Sequence, residues 1–409
     1  MQNQLVAPQT DSSTREAGRL YYLDWLRVLA FAAVFFYHCS RFFDGSWWHI
    51  KNSTTSPLVD ALKEIFDLWG MPLIFVISGA SIFLALRPGG AFRFLRDRVW
   101  RLLVPLPLGI LVLAPPQIYL TRLTHGEFQG SFLEFLPLYF QDWHIWGGNF
   151  AWSGVHLWYL ENLFLYTLVL LPLFAALKSQ AGRRFTEALG RLSARPGAIF
   201  LWALPLALLF ILLDPSGLTR PGLSEDLARL ALFWPFLAYG FLVFSDGQIQ
   251  QAIIRQRRIA LVSALALTLG AGVLTDALGP HPSFFLFALV MSLGSLLIWS
   301  SLLAVLGYGM RYFTANHRLL SYANEAVLPF YILHQPVILI IGYFIIPLPL
   351  PILAKYLIIA PLAFGITMGL YEFGVRRVNP VRRVFGLKAR KPVLPAADLA
   401  VQPTSSPRL

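Results

Sequence analysis

Residues 20–43 read LYYLDWLRVLAFAAVFFYHCSRFF. The stretch has the length and apolarity of a bilayer-crossing helix, for which about 20 residues span roughly 30 Å of hydrocarbon. Asp24, Arg27 and His38 stand inside it. An ionisable group at such depth costs about 2.5–3.5 kcal/mol even on insertion-based scales, so it faces a protein interior and takes part in function. From Arg27 to His38 a helix closes three turns with about 20° left over and climbs about 16 Å. Both side chains therefore project from one stripe. A cation near one membrane surface and an imidazole about halfway across are placed like the two ends of a substrate path.

The rest of the chain agrees with this reading. It has 409 residues, 56% hydrophobic and 13% charged, with a mean hydropathy of +0.61. Soluble domains carry about 25% charged residues, so the composition predicts an all-α polytopic membrane protein. The polar first 20 residues hold no short apolar run with a small-residue cleavage site. No cleavable signal peptide is expected, and the first helix serves as its own signal. The single cysteine, Cys39, excludes an intramolecular disulfide and a cysteine-based metal cluster.

Hydropathy windows predict about ten spans, at 21–43, 62–86, 102–121, 155–177, 199–213, 229–245, 258–275, 284–307, 322–345 and 351–372. An even number places both termini on one side. That side collects 25 of the 33 lysines and arginines, which makes it cytoplasmic by the positive-inside rule. The basic clusters at 255–258 and 376–383 flank helix ends, where topology and anionic lipid account for them, so no nucleic-acid partner is expected. The expected organisation is a disordered cytoplasmic tail over 1–19, one integral-membrane domain over 20–375, and a basic, disordered cytoplasmic tail over 376–409. The longest non-membrane segment, 122–154, is too short for a catalytic domain of about 50 residues. No separate soluble domain is expected, and any chemistry must occur among the helices.

Candidate chemistry concentrates in a few places. His38 can serve as a general base, since an ordinary imidazole titrates near 6.5; the alternative is a buried histidine that bonds a neighbouring helix. Asp24, three positions before Arg27, can hold the guanidinium or simply mark a helix start. Arg98 and Arg101 are spaced for adjacent guanidiniums, which suits phosphate, although basic loops are ordinary on the cytoplasmic side. His156, Trp158 and Glu161 crowd the outer end of the fourth span. An aromatic belt accounts for the tryptophan, and a sugar platform would use all three. Ser78 and Gly79 in FVISG are small enough for close helix packing. Tyr331 and His334 lie one turn apart between Pro329 and Pro336, which predicts a broken helix lining a cavity.

Five stretches, in order, resemble the integral-membrane acyltransferase-three family: YYLDWLRVLAFAAVFFYH, WGMPLIFVISG, RVWRLLVP, HLWYLENL and LPFYILH. Within it, the chain is most similar to the branch of glucan-modifying succinyltransferases of the bacterial envelope. The likeness covers about residues 20–345. It implies an enzyme of the bacterial inner membrane that moves an acyl group from acyl-coenzyme A to a carbohydrate beyond the membrane. The family's essential arginine and histidine fall on Arg27 and His38, its arginine pair on Arg98 and Arg101, and its histidine–tryptophan element on His156 and Trp158. Acyl-coenzyme A is then a co-substrate; no permanently bound cofactor and no metal are expected.

These readings predict a route. Donor phosphates would rest on Arg98 and Arg101, and the thioester would reach His38 along the first helix. His38, with Arg27 and Asp24, would serve catalysis, while His156, Trp158, Glu161, Tyr331 and His334 would serve the acceptor or support the site. Direct transfer and an acylated enzyme both fit. The alternative of another class is a secondary transporter or flippase for a sugar, since intramembrane charge and broken helices are common there too.

Overall fold

The computed structural model describes residues 20–141, 148–213, 232–278 and 283–390. Every regular element among them is helical: α1 (Tyr21–Ser40), α2 (Pro57–Ala85), α3 (Ala91–Thr124), α4 (Phe132–Tyr139), α5 (Val155–Leu177), α6 (Gln180–Ser193), α7 (Ala198–Leu213), α8 (Trp234–Ser245), α9 (Gly247–Leu278), α10 (Phe284–Tyr312), α11 (Arg318–Ile345), α12 (Ile352–Val375) and α13 (Asn379–Val384). Seven of these, α1, α2, α3, α5, α10, α11 and α12, are long and apolar enough to cross a membrane. The protein is thus an all-α, multi-pass membrane protein. Helices α7 and α8 are apolar but shorter. The stretch expected at 258–275 forms part of α9, whose earlier turns carry Arg255, Arg257 and Arg258.

Helix α1 lies among α2, α10, α11 and α12. Leu23, Leu26, Ala30 and Val34 recur at the spacing of one helix face and are buried. The neighbouring stripe, Arg27, Phe31 and His38, faces α11. Close packing of α2 on α8 depends on two glycines. A Cβ on Gly79 would come 2.0 Å from the Leu237 carbonyl oxygen, and one on Gly240 the same distance from that of Val76. Gly79 therefore packs as small residues in membrane helices do.

Three expectations need correction. First, α3 begins at Ala91 rather than near 102, because π-helical turns at Val99–Leu103 and Gly109–Leu113 carry one helix through Arg98, Arg101 and four prolines. Second, α11 is continuous through Pro329 and Pro336. A proline without an N–H frees the carbonyl four residues earlier, and for Pro336 that carbonyl is on Ile332. It finds a partner in another helix, so the helix does not break. Third, residues 376–390 are not a loose tail. They form α13 and a hook in which Arg382 is buried and bonded to Glu325 Oε1 at 3.1 Å. The tails 1–19 and 391–409 lie outside the described residues.

Candidate active site

The site is built in three levels along the Arg27–Phe31–His38 stripe. At the first level Arg27 makes three side-chain hydrogen bonds. Its Nη1 donates to Asp24 Oδ1 at 3.1 Å and to Asn324 Oδ1 at 2.9 Å, and its Nη2 donates to Ser81 Oγ at 2.7 Å. Asn324 Nδ2 closes the ring on Asp24 Oδ1 at 2.9 Å. Asp24 thus holds the guanidinium, and the pair carries no net charge. Asn324 also lines a cavity of about 1100 Å³ that opens at this end of the bundle. Arg98 and Arg101 line it too, and neither has a hydrogen bond or ion pair with a described residue; Arg98 lies 4.9 Å over the Phe94 ring.

The second level is a collar of three rings. Phe31, Tyr159 and Tyr331 meet edge to face in every pairing, with centroids 5.4–6.1 Å apart. Ser78 Oγ donates to the Ile74 carbonyl at 2.8 Å, so it accepts from the Tyr159 hydroxyl at 2.7 Å. The collar is thereby anchored to α2.

The third level holds the histidines, and hydrogen-bond logic fixes their tautomers. The Tyr331 carbonyl can only accept, so His334 Nδ1 carries the proton shared with it at 2.7 Å. Neutral His334 then offers Nε2 as an acceptor, and His38 Nδ1–H donates to it at 2.8 Å. The lone pair of His38 is left on Nε2, where a base needs it. The two rings are nearly parallel, 4° apart in tilt. His156 Nε2 faces the carbonyls of Tyr331 and Ile332, each at 3.1 Å, and must donate to them. It therefore satisfies the carbonyl that Pro336 frees, and its own Nδ1 is left as a buried acceptor without a described partner. Val155, immediately before it, has φ 64°, a costly value for a β-branched residue and one that clusters at functional sites. The Tyr331 hydroxyl donates back to the His156 carbonyl.

Loop residues complete this level. Trp48 packs 5.5 Å from the His38 ring, and its Nε1–H is buried without a described partner. Thr121 Oγ1 donates to the Gln117 carbonyl, so His49 Nδ1–H donates to Thr121 at 2.7 Å. His49 Nε2 then accepts from Gln335 at 3.4 Å. Burial, with His125 and Arg41 beside it, pulls the His49 pKa down to about 4.

Most sequence-predicted residues converge: Asp24 pairs with Arg27, Arg98 and Arg101 line one cavity, and His38, His156, Tyr331 and His334 form one cluster. Trp158 and Glu161 do not join them. Trp158 packs against Phe75 and Phe233, and Glu161 is exposed, with no hydrogen bond or ion pair to a described residue. Sequence reasoning missed Trp48, His49, Ser81, Asn324 and Gln335. Gln335 carried a signal, as a polar group within an apolar helix.

This geometry can be set beside known proteins. Residues 20–372 match the family described as an acyltransferase domain. The chain belongs to the acyltransferase-three family. It is therefore an acyltransferase, which removes the transporter alternative. "Glucans biosynthesis protein C" of Salmonella paratyphi B and that of Salmonella enteritidis are each 25% identical to it over 398 residues, covering 89% of this chain and 94% of theirs. The Salmonella gallinarum protein is 24% identical over the same span. No solved structure matches.

Proposed function

We propose that this acyltransferase takes an acyl group from cytoplasmic acyl-coenzyme A and places it on a hydroxyl of an envelope glucan or related carbohydrate beyond the bacterial inner membrane. Ten crossings with both termini in the cytoplasm fit the charge distribution. The observation that carries the reading is the His38–His334–Tyr331 chain. It leaves a base on the same stripe as an arginine network that opens to a cation-lined cavity.

Donor phosphates rest on Arg98 and Arg101, paired cations suited to bidentate contact. The thioester arm runs past Arg27 and through the ring collar. His38 Nε2 takes the proton of the sugar hydroxyl as its oxygen attacks the thioester carbonyl. Trp48 Nε1–H, the unpartnered donor beside His38, meets the developing oxyanion. The carbon–sulfur bond then breaks, the electron pair leaves on sulfur, and His38 returns the proton to the thiolate. The products are an ester and free coenzyme A. His156 Nδ1 accepts a hydrogen bond from the acceptor sugar. The donor's acyl group is acetyl or succinyl.

The test is thiol release from acetyl- and succinyl-coenzyme A by purified protein with pooled envelope glycans. Acceptor-dependent release should fall about 10²–10⁴-fold in His38→Ala. In Arg98→Ala the donor KM should rise. Trp48→Phe, which keeps the ring and loses the N–H, should lower kcat about 10²-fold with KM unchanged. An acyl adduct trapped on the protein would replace direct transfer by a two-step route. Release that is indifferent to His38 would sink the assignment.

A further inference from the structure

The cavity at the Arg98 end is lined by α3, by residues just before it, by α11 and by the hook of residues 376–390, which contributes Arg382, Arg383, Gly386 and Lys388. The hook is firmly held. Arg382 donates to Glu325, to the Arg376 carbonyl at 3.1 Å and to the Lys388 carbonyl at 2.9 Å, while Asn379 Oδ1 accepts from the Arg390 backbone at 2.8 Å. Gly386, at φ 71°, presses on the π-helical turn of α3: a Cβ there would lie 2.6 Å from the Arg101 carbonyl oxygen. Only glycine permits both the backbone angle and that approach. The hook is thus docked on the turn that carries Arg101, and Glu325, the residue next to Asn324, ties it to α11.

The cations of this region divide into two kinds. Arg27 and Arg382 have carboxylate partners in Asp24 and Glu325. Arg87, Arg93, Arg98, Arg101, Arg383 and Lys388 line the cavity with side chains that make no hydrogen bond or ion pair to a described residue, and Arg87, Arg93, Arg383 and Lys388 are exposed. A nucleotide-headed thioester such as acyl-coenzyme A carries two phosphate centres: a diphosphate bridge and, at the far end of the head, a ribose phosphate monoester of charge about −1.5 to −2. Arg98 and Arg101 lie on the side of the cavity that leads to Arg27 and suit the bridge. Of the other unpaired cations, Arg87 and Arg93 stand around the start of α3, while Arg383 and Lys388 come from the hook.

Resting on the acyl-coenzyme A reading above, we propose that the C-terminal hook is the second half of the donor site. In it Arg383 and Lys388 bind the terminal phosphate monoester. The hook then selects donors by their ribose phosphate, and its dock on Arg101 sets the distance between the two phosphate subsites.

The chemistry of a phosphate on a basic surface is shared by lipid headgroups, so the experiment separates the two sources. The full-length protein is placed in phosphatidylcholine bilayers, with or without phosphatidylglycerol, and kcat/KM is measured for acetyl-coenzyme A and acetyl-dephospho-coenzyme A. Wild type should prefer the phosphorylated donor by about tenfold or more, the scale of a charge-assisted bond. Arg383→Ala combined with Lys388→Ala should abolish that preference in both bilayers. Arg377→Ala, which removes a cation of the same segment that does not line the cavity, should retain it. A preference that survives the double substitution overturns the proposal. So does a loss confined to phosphatidylglycerol bilayers, which would assign these cations to lipid. If wild type releases thiol from neither donor, the acyl-transfer reading fails first and takes this one with it.

Discussion

At the residue scale, the proposed mechanism rests on which nitrogen carries a proton. His334 holds His38 in the useful tautomer only because a backbone carbonyl dictates its own. His334→Phe keeps an aromatic ring and removes the acceptor. It should lower kcat about 10²-fold with little change in either KM, as expected when the orienting partner of a general base is lost; an equal loss in both parameters would mark collapse of the pocket instead. His49 gives a pH signature. Its folded-state value of about 4 lies below the ordinary 6.5, so the unfolded chain takes up a proton first on acidification. Its contribution to stability is complete above about 6.5 and is lost as the pH falls toward 4, on the order of 3 kcal/mol in all. Melting curves in detergent should show a steeper fall over that range for wild type than for His49→Gln; parallel curves would deny His49 this role.

At the scale of elements, the prolines of α11 do the opposite of what a sequence suggests. Pro329 and Pro336 read as breaks, yet the helix runs on, and the carbonyl freed at Ile332 becomes the anchor for His156. Pro336→Ala restores an N–H that competes for that carbonyl. It should leave thermal stability unchanged or raised while acceptor KM increases several-fold, measured by thiol release against glycan concentration. The same element shows where sequence reading succeeds and stops. Asp24, Arg27, His38, Tyr331 and His334 were legible because polar groups in apolar helices announce themselves by their cost. Asn324 was not, since its partnership with Arg27 spans 297 positions and no local pattern encodes it. Trp48 and His49 lie in a loop, which hydropathy assigns to solvent, whereas this loop tucks in beside His38. Glu161 misled because proximity in sequence to His156 does not place it on the same helix face.

For the molecule as a whole, the three-ring collar has a consequence for the cell's energy supply. An enzyme whose two substrates approach from opposite sides of an energised membrane needs polar vestibules on both sides, and any continuous water file between them would short-circuit the proton gradient. Moving one charge across such a membrane is worth about 2.3 kcal/mol per 100 mV, so even a slow leak is a constant drain. Phe31, Tyr159 and Tyr331 meet edge to face between the Arg27 network and the histidines, and while no donor arm parts them these contacts oppose a continuous wetted file. Phe31→Ala should therefore make proteoliposomes discharge a pH gradient faster than wild type, with the dye-reported leak suppressed when donor occupies the protein. Equal leak rates would place the insulation elsewhere. On the proposed route the collar would then serve as an electrical seal, letting a group pass through a membrane without letting the membrane run down.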